Sequence, residues 1–318
     1  MTSLKLFLLP SSLFLVTCAA PYLSAQQQPA PKYRQIYPSQ KASVMQTVGV
    51  TDITISYSRP AVKGRPIFAD APASMEERAK GEATLDNQNE RKPGEPIVPY
   101  NHIWRAGANE ATLFQVTDDV LINGQPLKAG SYSMHAIPGK AEWTIVFNND
   151  PGQWGSFSYD SKKDALRVKA KPQPAVANQE YLLYTFDPIT ENSATINICW
   201  EKVRVPVTVE VRDVKAVWRT HADAAIAANP TNEVSPLQVA QAYANDKNWD
   251  EALKFVDLSI KTKETFRNLS AKTNMLWSAG KKEDALKAAD SALAKGKSEN
   301  ANTAAFEKRV ADMKAGKI

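Results

Sequence analysis

The chain has 318 residues, with 39 lysines and arginines against 34 carboxylates and a formal charge of +5. That length can hold two domains, each with a core of its own, and an apolar content of 43% excludes wholesale disorder. Basic residues never run five in a row, so nothing in the charge pattern points to a nucleic-acid partner.

The chain opens with one early cation, Lys5. An apolar stretch from Leu6 to Ala20 follows, interrupted at Pro10, Ser11 and Ser12, and then small residues at Ser24 and Ala25. This is the order of a secretory signal peptide. It predicts a signal over 1–25, cleavage after Ala25, and export to the periplasm or beyond. The apolar stretch is too short and too broken to predict a membrane span. A lipoprotein anchor at Cys18 is the weaker reading, because Thr17 stands where a smaller residue is wanted. The mature chain keeps Cys199 alone, which cannot form an internal disulfide, so the fold must rest on its core.

Residues 26–40 read as a linker, and 41–213 as a β-domain. In "TDITISYSRP", Ile53, Ile55 and Tyr57 alternate with polar residues, as in a strand with one buried face. The same period runs through Trp143, Ile145 and Phe147, through Leu182, Tyr184 and Phe186, and through Ile196, Ile198 and Trp200. A last strand alternates valines from Val205 to Val211. Its Pro206 cannot donate to a ladder, so that strand lies at an edge or turns the proline outward. Asn123-Gly124, Ala129-Gly130 and Pro138-Gly139 supply turns. Short strands at close spacing predict an antiparallel sandwich of the jelly-roll kind. The segment from Asp70 to Pro96 is polar and charged. It is expected to be a flexible insertion, with at most a short helix around Met75 to Lys80 that gains little from packing.

After Val214 the period becomes helical, predicting an all-α region over 214–318. "DEALKFVDLSI" and "EDALKAADSAL" align at an offset of 33 residues, pairing Ala252 with Ala285 and Leu253 with Leu286. That offset suits helix pairs of the tetratricopeptide type, although Ala240 and Thr273 stand where such a repeat wants glycine. The fold class is therefore α+β: a β-sandwich followed by a small helical-repeat region.

No metalloprotease, serine-hydrolase, paired-cysteine or phosphate-loop motif occurs. No cofactor is predicted. The polar loop "HIWRAGANEAT", residues 102–112, is the densest cluster of hydrogen-bonding side chains. As a ligand rim, Arg105 would grip an anion or sugar hydroxyl, Trp104 would offer a flat platform, and Asn109 would fix orientation. Trp154, Tyr159, Asp160, Arg59 and Arg65 are candidates for the same rim. His102, His135 and Glu110 have no spacing that supports a metal, and no metal site is assigned. As scaffold, Arg105 would pair with a buried carboxylate, Asn109 would satisfy its own turn, Trp104 would plug the sandwich and Gly107 would supply its backbone angles. Asp164 and Arg167 would pair across a turn, and Arg59 and Arg65 would bind sheet-edge carbonyls. Binding requires Trp104 and Arg105 to be exposed on a concave face; scaffolding requires Arg105 and Asn109 to be buried and satisfied.

With "VGVTDITISYSRPAVKGRPIF", "IWRAGANEAT", "INGQPLKAGSYSM", "WTIVFNNDPGQWGSFSYD" and "DALRVKAKP" in view, the chain resembles one bacterial family, catalogued as domain of unknown function 2911. The likeness runs from about Gln40 to Glu210. It implies export, a β architecture and a helical-repeat tail, and it carries no activity over. The hallmark positions it implies here are Arg59, Pro60, Gly64, Arg65, Trp104, Arg105, Gly107, Ala108, Asn109, Thr112, Gly130, Trp143, Trp154, Gly155, Tyr159 and Asp160. Glu110 and His102 fall where the family would vary. The Asp70–Pro96 excursion is longer than the connection the family leads one to expect.

The leading expectation is a non-enzymatic binding module that holds a small polar ligand or glycan at that rim, with the helices meeting a protein partner. The alternative is an envelope hydrolase or lyase acting on carbohydrate through Asp160 or Glu110. A third reading is a structural envelope protein whose arginines are all internally paired.

Overall fold

The computed structural model describes residues 35–78, 85–87 and 91–318. The signal segment, Cys18 and residues 26–34 of the linker lie outside them. By compactness the chain divides into residues 1–37 and 38–318, and every element below belongs to the second unit.

Two antiparallel sheets form from strands whose inward residues are apolar. One has the order β1 (Gln40–Val48), β2 (Thr51–Arg59), β5 (Thr112–Val116), β8 (Gly130–Ile137), β9 (Trp143–Asn148) and β10 (Asp164–Ala170). The other has the order β11 (Gln173–Ile189), β12 (Ser193–Glu210), β6 (Val120–Ile122) and β7 (Gln125–Leu127). The alternating residues named above face one shared core: Ile53, Ile55, Tyr57, Trp143, Phe147, Tyr184, Ile196, Ile198, Trp200, Val205, Val207, Val209 and Val211 are all buried in it. Asn123 and Gly124 both take positive φ between the paired residues Ile122 and Gln125, the tight hairpin expected of Asn-Gly. β12 is an interior strand, so Pro206 takes the outward option. It falls between Arg204, the last partner of β11, and Val209, the first partner of β6.

The polar insertion is anchored at several points. β3 (Phe68–Ala69) and β4 (Val98–Pro99) pair in parallel and close its ends. Within it, α1 spans Ala73–Arg78, and Met75 and Leu85 are buried together against Ala71. Asp86 and Glu95 are buried as well. The short helix, expected to gain little from packing, has Met75 fully buried together with Leu85. Residues 79–84 and 88–90 lie outside the described set.

Six helices follow: α2 (Val214–Ala228), α3 (Val234–Asn245), α4 (Trp249–Thr262), α5 (Phe266–Ser278), α6 (Lys282–Ser298) and α7 (Ala304–Lys314). Ala252 of α4 and Ala285 of α6 are both fully buried. Ala240 and Thr273, the equivalent non-glycine positions, are fully buried too, and the Thr273 hydroxyl donates to Leu269 O at 3.0 Å. The helices are joined to the sandwich through α2. Val214 and Val217 pack on the sandwich core, and His221 Nε2 lies 2.7 Å from Asp118 Oδ1. Among the described residues no helix is long and apolar enough to cross a membrane.

Candidate functional site

The polar loop of residues 102–112 enters the sandwich at Trp104. Its backbone exchanges both hydrogen bonds with Ala136 of β8, at 2.8 and 2.9 Å. Its indole is only 2% exposed, stacks on Trp200 at 5.8 Å, and meets Trp143 and Phe68 edge-on. Trp104 is thus the centre of an aromatic cluster joining both sheets. The exposed platform expected of a ligand rim is corrected here, because burying so large an apolar ring is worth more than presenting it to solvent.

The loop then folds back on itself with little left unsatisfied. Ala106 sits at a φ of +49°, which points its carbonyl at two donors, the Thr112 hydroxyl at 2.9 Å and the Tyr184 hydroxyl at 2.7 Å. Gly107 O accepts from Trp104 Nε1 at 3.1 Å. Gly107 itself is required by space and not by positive φ: a Cβ there would lie 2.8 Å from Thr112 Oγ1. Asn109, at a φ of +60°, donates through Nδ2 to Ser39 O at 2.9 Å and Ser58 Oγ at 3.2 Å.

Arg105 closes the arrangement. Its Nε and its backbone N–H both donate to Asp86 Oδ2, at 2.8 and 2.9 Å. Nη2 donates to Asp86 O at 2.8 Å, and Nη1 to Asn109 O at 2.7 Å. The guanidinium lies against Gly155, whose φ of +62° and bare Cα admit it; a Cβ there would stand 2.8 Å from Arg105 Cζ. The guanidinium therefore spends its fork inside the protein, bridging the insertion, the loop and the β9–β10 connection.

Asp86 Oδ2 also ends a buried polar chain. Gln153 Nε2 donates to Ser133 Oγ at 3.2 Å, and Ser133 Oγ stands 3.1 Å from His135 Nε2. His135 Nδ1 lies 3.3 Å from Ser156 Oγ, which donates to Asp86 Oδ2 at 3.0 Å. One consistent set of donors has Ser133 O–H serving Nε2 and Nδ1–H serving Ser156. Burial pushes His135 down to about 4, outweighing the opposing pull of Asp86 and Asp164. It is a neutral link, fully buried in the interior. His102 stands elsewhere, 3.9 Å from Glu76. Among the described residues no group of three or more His, Cys, Asp or Glu is placed to hold a metal ion.

The remaining candidates scatter. Trp154 is 46% exposed on the β9–β10 connection. Tyr159 O–H donates to Asp164 Oδ2 at 2.9 Å, and burial with Asp164 pushes it up to about 12. Asp160 caps a single helical turn by accepting from Lys162 N–H at 2.9 Å. Asp164 is clasped by Arg167 Nε at 2.6 Å, and Glu110 by Lys41 at 2.9 Å. Asp160 and Glu110, the carboxylates considered for acid/base work, are thus each committed to a different partner. Arg59 Nε donates to Leu182 O at 2.9 Å, and Arg65 Nε to Val62 O at 3.1 Å. Arg59 thus binds a carbonyl of the edge strand β11, whereas Arg65 binds carbonyls of its own loop.

Sequence reasoning passed over Asp86, Ser133, Gln153 and Ser156. Ser133 and Ser156 carry no periodic signal, and Asp86 sits in a stretch whose composition reads as solvated.

No curated protein matches the chain, and no solved structure does. A family model does match, over residues 39–79 and 85–209, a span that contains the loop, its Arg105–Asp86 clamp and both sheets. The chain belongs to the family described as protein of unknown function (DUF2911).

Proposed function

We propose that the chain is an exported, non-enzymatic binding protein in which the sandwich is a scaffold and the helices hold an extended segment of a protein partner. A groove of about 550 Å³ between α3 and α5 carries this reading. Leu237, Ala271 and Met275 give it an apolar floor, while Gln238, Gln241, Asn245 and Asn274 line its walls. Side-chain amides offer both a donor and an acceptor, as an extended peptide backbone requires. Arg267 is the sole charged lining residue, and Arg309 reaches from α7 to Asn274 Oδ1 at 2.7 Å. The cationic end favours an acidic segment. Tetratricopeptide-like stacking of helix pairs would set such a concave face, and the signal-like residues 1–25 support export.

The test is selection of peptides from a display library by the mature chain. Enriched acidic sequences are expected, with binding lost in the Arg267→Glu, Asn274→Ala double variant while its melting point holds. No enrichment, or undiminished binding in that variant, would overturn the reading.

A second reading keeps the glycan. Trp154 and Phe157, three residues apart, are both about half exposed on the β9–β10 connection, and exposed aromatic faces suit sugar rings. Binding to a glycan array that disappears in Trp154→Ala would support it. An array silent for the wild type would remove it.

A further inference from the structure

The groove between α3 and α5 has two unlike ends. α3 closes at Asn245 and α4 opens at Trp249; α4 closes at Thr262 and α5 opens at Phe266. Each connection is a short reversal, so α4 runs against both neighbours and α3 and α5 run parallel. Leu237, in the first turn of α3, and Arg267, in the first turn of α5, therefore mark one end of the groove. Trp249, just past the end of α3, and Ser278, the last residue of α5, mark the other.

The Arg267 end carries an unspent charge. Arg267 is exposed, and among the described residues it has no ion-pair partner. The neighbouring carboxylates are answered by lysines: Glu233 lies 4.0 Å from Lys263, and Glu264 lies 3.9 Å from Lys295. At the far end the Trp249 indole is half-buried. Among the described residues its N–H has no acceptor and its ring meets no other ring or cation. The other tryptophans of the helices are occupied. Trp218 meets Tyr243 edge-on at 5.4 Å, and Lys282 Nζ sits 4.8 Å from the Trp277 ring. From Arg267 to Ser278 the axis of α5 rises roughly 16 Å. An extended peptide covers that length in about five residues.

We infer that the groove selects a segment bearing an acidic and an aromatic side chain about four to five residues apart, the acid on Arg267 and the ring on Trp249. This rests on the groove holding a peptide, and adds the identity and spacing of its two anchors. A guanidinium fork donates two parallel N–H bonds to one carboxylate. An indole face takes a second aromatic ring in an offset stack. Between the anchors the apolar floor of Leu237, Ala271 and Met275 carries no charge, and the side-chain amides of Gln238, Gln241 and Asn274 suit any peptide backbone. Selectivity therefore concentrates at the two ends.

The probes are short fluorescein-labelled peptides in a Ser-Ala background, amidated at the C-terminus so that no second carboxylate competes. Each carries one Glu and one Trp at varied separation and in either order; controls carry Glu alone or Trp alone. They are titrated with the full mature chain and read by fluorescence anisotropy. Affinity is expected to peak at a separation of about four to five residues. Arg267→Gln should weaken the best peptide about tenfold and leave the Trp-only control unchanged. Trp249→Leu should weaken it roughly fivefold and leave the Glu-only control unchanged. Arg267 is exposed, so its variant keeps the fold, and an unshifted melting point checks the same for Trp249→Leu. Equal affinity at every separation, or equal losses on all peptides, would overturn the two anchors while leaving a peptide groove in place. If these probes stay silent while random peptides are enriched by display, the anchors alone fall. Silence in both experiments removes the peptide reading and this inference with it.

Discussion

Arg105 reaches Asp86 twice, its Nε and its own backbone N–H converging on Oδ2 at 2.8 and 2.9 Å. The pair is almost fully removed from solvent, with side-chain exposures of 11% and 7%. Such a contact fixes backbone and side chain together, and Gly155 is what lets the guanidinium lie where it does. Gly155→Ala should therefore destabilise the protein by about 2 kcal/mol or more, from the positive φ and the collision with Arg105 Cζ combined. Chemical denaturation checks this. An unchanged midpoint would mean that the guanidinium is not held there.

His135 makes stability depend on pH. Its folded value of about 4 lies below the ordinary 6.5, so the unfolded chain takes up its proton first. The stabilisation is whole above pH 6.5 and drains as pH falls towards about 4, a loss of roughly 3 kcal/mol from this group. Denaturant melts at a series of pH values should show that slope, and His135→Gln should flatten it. An equal slope in the variant would assign the effect to other groups.

The joint between sandwich and helices is polar as well as apolar. Burial raises Asp118, but hydrogen bonds from His221, Thr51 and Thr117 outweigh it and hold the carboxylate below its ordinary value. His221→Ala should loosen α2 without unfolding the sandwich, because Val214 and Val217 remain packed. Hydrogen exchange should rise in α2 alone. A rise spread over the β-strands would show that the joint supports the whole fold.

Ala252 and Ala285 test whether the 33-residue offset is structural. Both are fully buried, so Ala252→Leu and Ala285→Leu should each cost about 1–3 kcal/mol by overpacking. Helical circular dichroism during unfolding reads the result. A cost at only one of the two positions would break the equivalence.

The strands were legible because a sandwich writes its inside on alternate residues. Ile53, Ile55, Tyr57, Trp143, Ile145 and Phe147 all fall where the period puts them. The helices were legible for a similar reason, since buried residues recur at helical spacing, as at Ala252, Phe255, Val256 and Ser259 in α4. The loop was not. Trp104 reads the same as a platform or as a plug, and only the neighbouring Trp200, nearly a hundred residues on, decides between them. Asp86 was hidden by its company, because one buried carboxylate in a charged stretch leaves no mark on composition. Gly107 misled differently: its need is for space beside Thr112, which no local pattern records.

Whether the polar loop holds the fold or a ligand is decided most directly by thermal unfolding of Arg105→Ala beside the wild type. Removing the guanidinium strands the buried Asp86 carboxylate, a cost of about 3–5 kcal/mol for a broken buried pair. In a chain of this size that corresponds to a fall in midpoint on the order of 10 °C. Such a fall, with peptide binding by the α3–α5 groove retained at low temperature, is the expected result. A variant that melts with the wild type and loses binding would contradict it, and would make Arg105 a ligand group after all.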